Sequence, residues 1–151
     1  MSKKKRRRPG RGFTLIELLV AMALAGILMA IAIPQFMSLL PTINLGAGAR
    51  QLATELQLAR MKAISQSTQY RITFAALPAA TYTVEVFTAG AYVTDRGPVP
   101  LPQGITVTAM TAAFNFTTAG TASTVSTITV RNTLGATTTV TVNPVGRVRI
   151  P

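Results

Sequence analysis

The sequence contains no cysteine and no histidine, and it has only four acids: Glu17, Glu55, Glu85 and Asp95. Without cysteine there is no disulfide, no thiolate nucleophile and no thiolate metal ligand. Without histidine the commonest general base and the commonest metal ligand are missing as well. The acids are widely spaced, and nothing in that spacing suggests a carboxylate dyad. Catalysis, a metal centre and a bound cofactor are therefore not expected. A glycine-rich phosphate loop and internal repeats are also missing. The lack of disulfides does not decide the compartment, because many exported proteins have none.

What the chain has is positive charge and apolar length. Its 151 residues, 48% of them hydrophobic, suffice for one modest domain and an anchor. The net charge of +11 is unevenly placed. Lys3, Lys4, Lys5, Arg6, Arg7, Arg8 and Arg11 put seven positive charges into residues 1–12; the remaining eight bases against four acids leave +4 for the rest. A basic tail can be a nucleic-acid arm. This one abuts an apolar run, where lysine and arginine bias the tail to the cytoplasmic side of a membrane.

From Leu18 to Ala49 no side chain is charged. Phe13 to Ile33 is rich in Leu, Ile, Met and Ala and, as a helix, covers about 31 Å, the thickness of a hydrocarbon core. Pro34 is expected to kink or end that helix. A secretory signal peptide would have a shorter apolar region and a small-residue cleavage site, for which Ala-Ile-Ala-Ile-Pro is a poor candidate. A plain single-span anchor fits the length but gives no reason for Glu17, and a buried core helix would not need the basic tail. An acid in such a segment is unfavourable without a partner; at the bilayer centre a charge costs about 2.5–3.5 kcal/mol.

Downstream, Pro41, Gly46 and Gly48 punctuate the pattern. "RQLATELQLARMKAISQS" then regains helical period, with Leu52, Leu56, Ala59 and Ala63 on one stripe suited to docking on a sheet. From Gln69 the pattern turns to strands rich in Thr, Val, Ile, Tyr and Phe. "QYRITFA" and "TYTVEVF" read as a hairpin, followed by "GITVTAM", "AFNFTT", "STITVRN", "TTTVTVN" and "GRVRI". "DRGPVPLPQG" has too many prolines for a central strand and is expected to be a surface loop. The fold class is α+β: a long N-terminal helix, transmembrane then amphipathic, packed on an antiparallel β-rich domain. The expected segments are 1–12 (leader), 13–40 (membrane helix), 41–68 (amphipathic helix) and 69–151 (β-rich domain).

The stretch "RGFTLIELLVAMALAGILMAIAIP" resembles the N-terminal signal of type IV pilins and type II secretion pseudopilins: a basic leader ending in Gly, then Phe, then Glu at the fifth mature position. The resemblance implies cleavage between Gly12 and Phe13 by a prepilin peptidase, methylation of the new amine at Phe13, and a retained apolar helix. The protein would cross the bacterial inner membrane once, N-terminus cytoplasmic and globular domain periplasmic. It further implies that Glu17 meets the N-terminal amine of a neighbouring subunit during assembly, an ion pair that is strong in low dielectric. The order "LARMKAISQSTQYRITF", "VPLPQGITV", "FNFTTAGTAS", "NPVGRVRI" is similar to FimT/GspH-type minor pseudopilins. The partners implied are the peptidase and methyltransferase, other pilins or pseudopilins, and the inner membrane. Whether the filament serves secretion or a type IV pilus stays open.

The closing "VGRVRIP" bears two readings. Extended, it points Arg147 and Arg149 to one face, about 6.6–6.8 Å apart, a pitch suited to successive phosphates. Arg131 is a further candidate if its strand lies nearby. In the FimT branch a Gly-Arg-x-Arg element, matched here by Gly146, Arg147 and Arg149, is associated with double-stranded DNA binding in natural transformation. The alternative is two solvated arginines that discourage pairing along a sheet edge.

Overall fold

The structure, a computed structural model, describes residues 13–151, so Gly12 and the basic leader lie outside the described residues. One helix, α1, runs from Leu15 to Ser65. It does not end at Pro34. A proline removes one N–H from the ladder, and the continuous helix formers on either side carry the helix on. Nor do Pro41, Gly46 and Gly48 interrupt it. Gly48 has a packing reason: a Cβ there would stand 2.9 Å from Ile105 Cγ2.

The chain divides between Ser38 and Leu39. In the first unit every described residue is exposed, although the sequence there is apolar, with a mean hydropathy of 2.6 over its best window. Exposure on all sides of an apolar helix is what a lipid or protein surrounding would satisfy.

The second unit, Leu39–Pro151, holds the core. β1 (Tyr70–Thr73), β2 (Thr81–Thr88) and β3 (Ala91–Pro100) form one antiparallel sheet in that order. β4 (Thr106–Met110), β5 (Ser126–Arg131), β6 (Thr137–Val142) and β7 (Val148–Arg149) form a second. The stripe Leu52, Leu56, Ala59 and Ala63 is buried against both, with Tyr70, Ile72, Tyr82 and Val84 from the first sheet and Val107, Ile128, Val130, Val140 and Val142 from the second. Threonine takes the other face of the second sheet. Thr127, Thr129, Thr137, Thr139 and Thr141 alternate with the buried residues of β5 and β6.

Two expectations are corrected. Asp95–Pro100 is not a loop: it is the second half of β3, whose first half, Ala91–Thr94, the sequence reading did not identify. Pro98 and Pro100 are tolerated because β3 is the edge of its sheet and needs no outer N–H. The register shifts near Val84, and Gly97 there has φ +148°, with Thr83 Cα 2.9 Å from where a Cβ would be. Conversely, "AFNFTT" is not a strand of either sheet. Phe116 makes isolated bridges to Tyr70 and Ala122, and Phe114 and Phe116 are both buried, edge to face at 5.4 Å. Alternating burial imitated a strand in a crossing segment.

Candidate functional site: a helix start and an arginine edge

The first candidate site is the start of α1. Thr14 precedes the first helical residue, and its Oγ1 accepts the Glu17 N–H at 3.3 Å. Thr-x-x-Glu is the spacing of a capping box, and an acid in the first turn is favoured by the helix dipole. Glu17 thus has a local stabilising position besides any partner in an assembly. Thr14 is the N-cap. Phe13 is 81% exposed.

The second candidate site follows from where charge is left over. All three acids of the second unit have a base beside them: Asp95 with Lys62 at 2.6 Å, Glu85 with Arg71, and Glu55 with Arg96. The Glu55 hydrogen bond raises the pKa of the already basic Arg96. Acids engaged in this way are not arranged for proton transfer, and among the described residues no three metal-ligating side chains gather. The unit has eight bases and three acids, so its net charge of +5 belongs to Arg50, Arg60, Arg131, Arg147 and Arg149.

Arg147 and Arg149 flank Val148 at the C-terminal end, while Arg60 and Arg50 of α1 reach residues on either side of β7, Gly146 and Ile150. Asn143, Pro144 and Gly146 suit the first, second and fourth places of a tight turn. Gly146 N–H donates to Asn143 O at 2.9 Å, Asn143 Oδ1 accepts the Arg147 N–H at 2.7 Å, and β7 then pairs with β6 through Thr141–Arg149 and Val142–Val148. Val148 packs against the core, while Arg147 and Arg149 are exposed on the opposite face. At the Gly146 end, Arg60 of α1 donates from Nε to Gly120 O at 2.7 Å. A Cβ on Gly146 would lie 2.8 Å from the same nitrogen. At the other end, Arg50 shares a groove with Ile150.

Arg131 is not part of this edge. It stands opposite Thr137 on β5, whereas Arg149 stands opposite Thr141 on β7. Both face outward, but four residues along and two strands across separate their backbones by about 16 Å. Sequence reasoning found Arg147 and Arg149 and missed Arg50 and Arg60. The two helix arginines carried no signal beyond lying off the apolar stripe, because their neighbours are 60 to 100 residues away in the chain.

Residues 7–33 match a model of the prokaryotic N-terminal methylation motif, and residues 48–146 match the model described as type II transport protein GspH. No curated protein sequence matches the chain. Among solved structures, the minor pseudopilin EpsH from the type 2 secretion system of Vibrio cholerae is similar at a TM-score of 0.60 and 14% identity, over 72% of this chain and 96% of that one. The type IV minor pilin FimU of Pseudomonas aeruginosa is similar at a TM-score of 0.59 and 20% identity, over 71% of this chain and 87% of that one. At these identities the likeness concerns the fold.

Proposed function

Because this chain belongs to the GspH family of type II transport proteins, we propose that it is a minor pseudopilin, an assembly subunit of a type II secretion pseudopilus or a type IV pilus. It is a structural subunit and not an enzyme. The observation that carries the reading is a coincidence at one place: a methylation motif over residues 7–33, Glu17 in the first turn of α1, and an apolar helix exposed on every side. On this reading the chain inserts with its N-terminus in the cytoplasm and is cut between Gly12 and Phe13. Phe13 is methylated, and Glu17 meets the amine of a neighbouring subunit inside the membrane. The regions act as leader (1–12), membrane and filament helix (13–40), amphipathic helix (41–68) and extracytoplasmic β-rich domain (69–151).

Two variants test this. Gly12→Ala leaves hydropathy nearly unchanged and alters the cleavage residue, so immunoblots of membranes should show a chain about twelve residues longer. Glu17→Val should insert at least as well, since a charge has gone, and should be cleaved normally but fail to enter or prime filaments. Normal processing of the first and normal assembly of the second would sink the proposal.

A second reading, DNA binding during uptake, is favoured by the exposure of Arg147, just before β7, and Arg149, within it, with no acid beside them among the described residues. Full-length protein in detergent should bind duplex DNA without sequence preference, with a Kd of about 10⁻⁶ M or weaker. The salt slope should be shallow, reflecting two or three phosphates. Replacing both arginines by Gln should remove most of the binding; equal binding by that variant rejects these residues as the site.

A further inference from the structure

Between the second half of α1 and the β6–β7 edge lies an open groove of about 550 Å³, large enough for several side chains. Ile150 and Pro151 supply exposed apolar wall over the buried Leu45 and Ala49, Thr138 a hydroxyl, and Gly46 and Arg50 the helix side. Arg50 folds back along its own helix: a Cβ on Gly46 would stand 3.2 Å from its terminal nitrogen. The missing side chain at 46 therefore leaves room for a guanidinium beside aliphatic surface. That guanidinium is exposed and has no acid beside it among the described residues.

We propose that this groove docks an acidic, apolar segment of a different pilin-type subunit, with an aliphatic side chain against Ile150 and Pro151 and a neighbouring carboxylate on Arg50. Charge complementarity selects the occupant. A second copy of this chain does not fit, because Glu55, Glu85 and Asp95 are already engaged and two such edges would bring like charges together. Duplex DNA supplies phosphates but no aliphatic group for the wall, and it cannot enter a concave groove of this size. A carboxylate meeting arginine beside apolar surface gains a charge-assisted bond together with hydrophobic burial. Only the identity of the partner as a pilin-type subunit rests on the proposed function; the chemistry of the groove does not.

The test uses the full-length chain in detergent micelles and dye-labelled peptides read by fluorescence anisotropy, with empty micelles as the blank. The probe is an acidic aliphatic peptide, Ala-Leu-Glu-Ile-Glu-Leu-Ala, compared with its Gln counterpart. The acidic peptide should bind about tenfold more tightly than the amide, the span of one charge-assisted contact. Arg50→Gln should abolish that difference, whereas the Arg147→Gln, Arg149→Gln double variant should keep it within about twofold. Thr138→Trp, on the groove side of β6, should weaken both peptides. Absence of binding, equal binding of the two peptides, an Arg50→Gln chain that still discriminates, displacement of the peptide by duplex DNA, or self-association blocked by Thr138→Trp would each overturn the proposal. Failure here with unprocessed Gly12→Ala leaves the filament reading intact; the converse result separates the two the other way.

Discussion

Gly146→Ala is the substitution whose consequence can be worked out most fully. Gly146 has φ +75°, a conformation that costs a side-chain-bearing residue about 1 kcal/mol or more. The added Cβ would also lie 2.0 Å from Gly120 O and 2.8 Å from Arg60 Nε, the two ends of one hydrogen bond. The backbone oxygen cannot turn away as a flexible side chain would. The loop at Gly120 or the strand at Val148 must move, and the Arg60 bond, of a kind worth about 1.5–3 kcal/mol, is lost. The expected destabilisation is about 3 kcal/mol or more, lowering the melting temperature by roughly 10 °C for a unit of this size. The assay is near-UV circular dichroism of the full-length chain in detergent, which reports on the buried rings of Tyr70 and Tyr82. Gly90→Ala is the internal reference: its φ is +86° with no atom within 4 Å of an added Cβ, so it should lose only the conformational part. The Arg147→Gln, Arg149→Gln pair, being exposed, should stay within about 0.5 kcal/mol of wild type. A Gly146→Ala chain no less stable than Gly90→Ala would refute the argument and leave the glycine of the Gly-Arg-x-Arg element without a packing role.

Leu56→Ala should cost about 2–5 kcal/mol in chemical denaturation, since Leu56 is fully buried between the two sheets; a loss under 1 kcal/mol would contradict that packing. Burial raises the pKa of Tyr82, opposed in part by its hydrogen bond from Gln51. The folded chain therefore holds this proton when the unfolded chain releases it. That stabilisation is complete below pH ~10 and is lost as pH rises through the folded value, so Tyr82→Phe should lessen the alkaline decline in stability. The side chains of the Lys62–Asp95 pair are 33% and 26% exposed, and a double-mutant cycle should give a coupling below about 1 kcal/mol that shrinks with salt; a larger, salt-insensitive coupling would mean a buried pair.

The arginine edge shows how far reading along the chain can reach. Arg147 and Arg149 were legible because alternation along an extended segment is a local property. Arg50 and Arg60 were not, because nothing in residues 41–68 indicates that Ile150 will lie near the one and Gly120 and Gly146 near the other. Proline count misjudged β3 for a related reason. Whether a missing N–H matters depends on which side of the strand is free, and edge position is decided by strands elsewhere in the sheet. "AFNFTT" erred in the opposite direction, since burial of alternate residues does not require a sheet partner along the whole segment.

Length, period and charge along the chain already fix the apolar helix with its single acid near the start, the buried stripe Leu52, Leu56, Ala59 and Ala63, most of the strands, and the lack of cysteine and histidine. Which charges are left over, and where they lie, follows from the folded arrangement. Pairing of Glu55 with Arg96, Glu85 with Arg71 and Asp95 with Lys62 spans 14 to 41 residues of chain. Those pairings leave Arg50, Arg60, Arg147 and Arg149 without an acid beside them among the described residues, and the turn at Gly146 brings the last two within reach of the loop that Arg60 holds. Periodicity is encoded by neighbours in sequence, whereas electrostatic complementarity depends on distances that exist only after the sheets have closed on the helix.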